Sequence, residues 1–283
     1  MRIALLGLAF AVAAQAPADR PAVTVRGQTY TPASILARNM GSVEDQETAF
    51  PPHRIVANVY YVGTRTLSSF LVVTPAGDIL IDTTYERNAK TIQQSIAQLG
   101  FKAADVKIIL GNHAHGDHQE GDAIWKAMTG AQVMAMAEDV PALMQMMPGG
   151  KAHPVDRVLH DGDSVELGGT TLVARLTAGH TRGATTFTMR AQDGGRASDI
   201  VFFTSLRSPA QVTPGIAAEF DRTFPLVRAL PCDVPLGDHP AEYGMKAKYA
   251  KLAAGAANPF VDKAGCFAEV DIQEAMYHAI IGR

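Results

Sequence analysis

Three histidines and an aspartate crowd into six residues, His113-Ala114-His115-Gly116-Asp117-His118, directly after the strand-length, largely apolar run Val106 to Leu110. On a helix, residues two apart differ by about 200° in azimuth, so His113 and His115 would face opposite sides; on an extended chain they point the same way. The segment therefore reads as a loop at a strand end, with Gly116 permitting a sharp backbone change that aims Asp117 and His118 toward a second centre. Imidazole nitrogens with one carboxylate suit zinc, and loops at strand ends are where rigid scaffolds display ligands.

A catalytic zinc with three protein ligands keeps a position open for water, so two such ions need six ligands, of which this segment supplies four. The remaining two are assigned to His180, in Gly179-His180-Thr181 after the run Thr170 to Leu176, and to His239, in Gly237-Asp238-His239-Pro240. Four of the nine histidines, His53, His153, His160 and His278, have no such setting and are expected at the surface or at caps. The stretch His160-Asp161-Gly162-Asp163 is a turn before the strand Ser164 to Leu167. The chain has neither a GxxxxGK phosphate loop nor a GxSxG elbow.

The surrounding texture places these residues. Ile55 to Val62, Ser69 to Thr74 and Asp78 to Asp82 read as antiparallel strands joined by turns. Ala89, Ile92, Ile96 and Leu99 recur at helical spacing before Gly100. The second half repeats this, with strands at Ala131 to Ala135, Ser164 to Leu167, Thr170 to Leu176, Thr185 to Arg190 and Ile200 to Thr204. Helices are predicted at Glu138 to Met146, Ala217 to Ala229, Ala241 to Ala253 and Ile272 to Ile280. Two rounds of strands and helices imply an α+β fold, two sheets packed together with helices outside. Residues 17–52, rich in Pro, Thr and Gln, read as a surface-running lead-in, and the methionines between Met134 and Met147 as core filling.

Composition excludes several classes. With 47% hydrophobic residues, 19% charged and a net charge of −3, the chain is neither disordered nor basic enough to hold a phosphate backbone, so no nucleic-acid partner is expected. Met1-Arg2, the apolar run Ile3 to Ala14 and the small residues around Ala16 read as a secretory signal over residues 1–16, cut after Ala14 or Ala16. That run is too short to span a bilayer, and no other stretch approaches the length required. The mature chain, residues 17–283, is then a single exported domain, periplasmic or secreted, with monomer the expected state. In an oxidising compartment Cys232 and Cys266, the two cysteines of the chain, have one possible pairing; two buried free thiols are the alternative.

The run His113-x-His115-x-Asp117-His118, followed by His180 and His239, resembles the metallo-β-lactamase superfamily from about Ile55 onward. The resemblance implies a four-layer αββα sandwich holding two Zn2+ per chain. His113, His115 and His180 would hold one ion and Asp117, His118 and His239 the other. Thioesterases and lactonases of the superfamily usually carry a bridging aspartate at the end of the strand matched by Ile200 to Thr204, where this chain has Thr204-Ser205. Two β-lactamase subclasses have a cysteine ligand there; the third has serine and uses the histidine matched by His118, and some of its members share the Cys232 to Cys266 spacing. The implied activity is hydrolysis of the β-lactam amide of penicillins, cephalosporins and carbapenems by a metal-bound hydroxide, conferring antibiotic resistance. Asp117 would orient the nucleophile, Ser205 would bind the substrate carboxylate and Arg207 would add charge. The alternative is an exported zinc lactonase or other ester or thioester hydrolase. The loop Arg207 to Gly215 is shorter than the Gly-Tyr-Asn-rich loop of relatives, and Asn112 replaces the usual serine before the first histidine.

Overall fold

The computed structural model describes residues 21–283, so the segment read as a secretory signal lies outside the described residues. In chain order the elements are β1 (Val23–Val25), β2 (Gln28–Tyr30), α1 (Pro32–Met40), α2 (Val43–Glu47), β3 (His53–Val56), β4 (Val59–Tyr61), β5 (Phe70–Thr74), β6 (Gly77–Ile81), α3 (Ala89–Gln98), β7 (Val106–Leu110), α4 (Gly116–Gln119), α5 (Asp122–Thr129) and β8 (Gln132–Met136). There follow α6 (Val140–Leu143), β9 (Arg157–Leu159), β10 (Ser164–Leu167), β11 (Thr170–Leu176), β12 (Thr185–Asp193), β13 (Arg196–Phe203), α7 (Pro214–Arg228), β14 (Val234–Gly237), α8 (Met245–Ala253) and α9 (Ala268–Ile281).

The strands β3 to β9 form one seven-stranded sheet in sequence order, and β10 to β14 a five-stranded one. Their facing sides bury a shared core, in which Phe70, Val72, Ile79, Ile81 and Leu110 of the first sheet meet Leu172, Phe187, Ile200 and Phe202 of the second. Strand side chains alternate, so Leu71, Leu80 and Ile109 point the other way, onto Ile92 and Ile96 of α3 and Trp125 of α5. On the outer side of the second sheet Val201 and Phe203 pack on Phe220, Phe224 and Val227 of α7 and on Val270 and Tyr277 of α9. The layers are therefore helix, sheet, sheet, helix, and strands covered on both faces read as nearly unbroken apolar runs. The Cys232–Cys266 disulfide lies in the outermost of these cores, tying the chain before β14 to the start of α9.

Antiparallel pairing builds half of the first sheet, β3 to β6, and most of the second, but β6, β7, β8 and β9 run parallel, as do β13 and β14. The C-terminal ends of β6, β7, β13 and β14 release Asp82, the His113 loop, Thr204-Ser205 and Asp238-His239, the edge at which open parallel sheets place their ligands.

Several local expectations change. The described part of the lead-in is ordered: α1, capped reciprocally by Thr31 and Ser34, seats Ile35 on Ile272 and Met276 of α9. The predicted helix Glu138 to Met146 is a 3-10 turn, Ala137–Asp139, followed by the short α6. The helix predicted from Ala241 breaks at Gly244, whose φ of 66° ends one turn and starts α8. Helix α5 and strands β9 and β14 have no counterpart among the predicted elements. Met134 and Met136 fill the core, whereas Met144 and Met147 are exposed. His53 and His153 are not at the surface: His53 stacks between Tyr61 and Phe260, and His153 is buried against Asp122 and the carbonyl of Gln119.

Candidate metal centre

Beyond β7 the chain bends through residues 112–115 rather than running straight: His115 N donates back to the His113 carbonyl at 2.8 Å, and His115 itself is extended (φ −119°, ψ 154°) before α4 begins. The amide of Asn112 donates to Asp82 Oδ1 at 2.8 Å and its carbonyl accepts from Thr185 N at 2.7 Å, so the loop is held to both sheets. Asp82 and Thr84 take left-handed backbone angles, φ 59° and 58°, which few non-glycine residues adopt. Such strain persists only where the surroundings over-determine it. In Asp82 it turns the carboxylate back onto His118, whose Nδ1 lies 3.0 Å from Oδ2.

Six side chains converge at this edge. Ligand atoms of His113, His115 and His180 lie within 4.8 Å of one another, as do those of Asp117, His118 and His239. The rings of His113 and His118 are 4.2 Å apart between centroids, so the two groups share a wall. His113, His118 and Asp238 also cluster, but Asp238 Oδ2 is already engaged, by Ser205 N at 2.6 Å and His113 Nδ1 at 3.3 Å. Asp238 therefore orients a histidine.

The hydrogen bonds settle which ring nitrogens are free. Carbonyls and carboxylates only accept, so the nitrogen facing one must carry the proton. His180 Nδ1 donates to the Arg207 carbonyl at 2.7 Å and His239 Nδ1 to the Thr66 carbonyl at 3.0 Å. His118 Nδ1 faces Asp82, and His113 Nδ1 faces Asp238 and the Thr204 hydroxyl. With the rings neutral, as a bound cation would require, each of the four would present a lone pair at Nε2. This is the arrangement of metal-binding histidines, whose second nitrogen donates to a carboxylate or carbonyl. His115 completes the set from its Nδ1, 3.2 Å from His180 Nε2.

Electrostatics agree. Burial, then the neighbouring imidazoles, lower His113 to about 3 and His180 well below the ordinary histidine value. Burial also lowers His115 and His239. His118 goes the other way: burial would lower it, but the Asp117 carboxylate holds it well above its usual range. Burial would raise Asp117, but the charge of His118 outweighs that and keeps it far below the carboxylate range. The space between His118 Nε2, Asp117 Oδ2 at 3.3 Å and His239 Nε2 thus draws positive charge, and His118 Nε2 is buried without a hydrogen-bond partner. Three imidazole nitrogens at one place, and two with a carboxylate at the other, are donor sets that fit zinc.

The other two residues singled out in the sequence stand differently. Ser205 is buried, its Oγ accepting from Arg207 N at 3.4 Å. Arg207 is half-buried, and its charge depresses His115 and His180, so its guanidinium lies toward the three-histidine group. Among the described residues no carboxylate pairs with it. Asp82, Asp238 and the Thr66 carbonyl went unremarked in the sequence; the available signal was position, since both aspartates directly follow strand-like apolar runs.

A family model of the metallo-beta-lactamase superfamily matches residues 62–233. The native FEZ-1 metallo-beta-lactamase from Legionella gormanii is 39% identical, with 83% of this chain and 97% of that one covered and a TM-score of 0.80. BJP-1, a subclass B3 metallo-beta-lactamase of Bradyrhizobium japonicum, is 35% identical over 84% of this chain and 96% of that one, with a TM-score of 0.78. The class B3 di-zinc metallo-beta-lactamase LRA-12, from an Alaskan soil metagenome, is 30% identical over 84% and 97%, with a TM-score of 0.77. A curated relative, the hydroxyacylglutathione hydrolase of Hyphomonas neptunium (strain ATCC 15444), is 33% identical over 94 residues, one third of this chain and one third of that enzyme. In fold, in matched span and in likeness to these structures, the chain belongs to the metallo-beta-lactamase superfamily of hydrolases.

Proposed function

We propose that this hydrolase opens the amide of β-lactam antibiotics, with two zinc ions held by His113, His115 and His180 and by Asp117, His118 and His239. One observation supports it above the others. The end of β13 brings Thr204 and Ser205, not a carboxylate, to the site, while His118 and Asp117 complete the second group; Asp199 lies in the middle of β13, beside Arg190.

When bound, the ions supply Lewis acidity and a water molecule that loses its proton near neutral pH. The chain does the positioning. Asp82, Asp238 and the carbonyls of Thr66 and Arg207 hold the Nδ1 protons of four histidines, so that their Nε2 lone pairs converge. Asp117 stays ionised and keeps accepting capacity to orient the attacking water. Arg207, with no carboxylate partner among the described residues, attracts the substrate carboxylate, and the Ser205 hydroxyl retains a proton to donate to it. The mature chain acts as one domain, because each metal group draws ligands from both sheets' loops. Export would place it where such substrates arrive, and the disulfide supports that location.

A reading as an ester or thioester hydrolase draws on the likeness to hydroxyacylglutathione hydrolase. Turnover of a cephalosporin, a carbapenem, a homoserine lactone and a glutathione thioester by the zinc-loaded protein separates the two. The β-lactams should be opened, lost on dialysis against a chelator and regained with zinc. Faster turnover of the lactone or thioester, with β-lactams untouched, would transfer the assignment.

A further inference from the structure

Irregular loops cannot satisfy their buried amides by strand pairing, so each needs an acceptor from elsewhere. Two such loops meet here, Asn112 to His115 and Ala178 to Gly183, and one side chain serves both. Asp139, in the 3-10 turn between β8 and α6, is only 2% exposed. Its Oδ2 accepts from Ala114 N at 2.8 Å and from Thr181 Oγ1 at 2.7 Å, and its Oδ1 accepts from Gly183 N at 2.7 Å.

These contacts bracket the histidines of one metal group. Ala114 lies between His113 and His115 and packs on Ala135 and Leu143, while Thr181 follows His180. The approach leaves no slack: a Cβ on Gly183 would stand 2.5 Å from Asp139 N and 2.6 Å from its Cβ. His115 depends on this support more than its neighbours do. The only described hydrogen-bond contact of its ring is with His180, so its direction is set through its backbone.

We infer that Asp139 is a positioning residue for the three-histidine centre, clamping the His115 and His180 loops at the separation at which they share one ion. The inference rests on the proposed zinc reading and concerns metal affinity at one centre, not the substrate.

Zinc affinity, measured by competition with a chromophoric chelator, tests it in two backgrounds. His239→Ala disables the other centre and leaves the three-histidine one; His180→Ala does the reverse. Asp139→Asn keeps the volume but turns an amide N–H toward a donor. It should weaken zinc about 10- to 100-fold in the first background, the range for losing a partner that orients ligands, and by less than about threefold in the second. Thr181→Val, which removes one of the three bonds, should act in the same direction and less strongly, and it serves if Asp139→Asn does not fold. Unchanged affinity in the first background, or an equal loss in both, overturns the inference. A wild-type chain that binds zinc but opens no β-lactam would sink the functional reading and leave this one standing.

Discussion

Reducing the Cys232–Cys266 bond should cost stability without dismantling the site. The bond joins residues 34 apart in sequence, a segment that contains β14, His239 and α8. For a closed loop of that size the chain-entropy relation removes about 13 cal/mol/K from the unfolded ensemble, about 4 kcal/mol at 25 °C. With about 2.1 cal/mol/K of unfolding entropy per residue over about 260 ordered residues, that corresponds to a fall in Tm of about 7 °C. Urea unfolding of the metal-free protein, followed by the fluorescence of buried Trp125 with and without a phosphine reductant, measures it. Equilibration must pass through the unfolded state, because both sulfurs are buried with Phe203 and Val270. The variant with both Cys232→Ala and Cys266→Ala should lose somewhat more, since it also removes two sulfur atoms from that core. Turnover at 25 °C should persist, because none of the six converging side chains touches the bond. A difference below about 1 kcal/mol between oxidised and reduced protein would refute the loop-closure argument.

Asp82→Asn should weaken zinc binding about 10- to 100-fold, because an amide has one acceptor oxygen where the carboxylate serves both His118 Nδ1 and Asn112 N; chelator competition checks it, and wild-type affinity would remove Asp82 from the site. Arg207→Ala should raise KM for a β-lactam about tenfold with kcat little changed, and a fall confined to kcat would show that the arginine acts elsewhere. At His153, burial would lower the pKa, but the hydrogen bond and charge of Asp122 outweigh it and raise the value above 6.5. The folded state therefore favours the proton, and the stabilisation is full below pH 6.5 and lost as pH rises through the higher folded value. His153→Gln should accordingly cost about 1.5–3 kcal/mol at pH 5.5 in urea unfolding and much less at pH 9, whereas a pH-independent difference would contradict the pairing.

How far the chain could be read in advance differs by residue. The layered fold was legible because apolar runs such as Phe70 to Val73 and Val106 to Leu110 carry the burial of both faces in their composition. The N-terminal helix α1 was not, because its stability comes from Ile35 resting on α9, more than 230 residues away in the chain. His53 and His153 were misplaced for the same reason. A lone histidine looks polar in a sequence, yet Tyr61 and Phe260 stack on the one and Asp122 pairs with the other.

The sequence by itself determined that His113 and His115 lie in a loop, since a helix would turn them to opposite sides, and it offered Asp117, His118, His180 and His239 as the further candidate donors. Tertiary structure alone decided how closely these donors gather, which nitrogen of each ring faces an acceptor, and that Asp82, Asp238 and Asp139 accept the hydrogen bonds around them. Those decisions depend on directions and distances between chain segments tens of residues apart, and such contacts leave no periodicity for a single sequence to display.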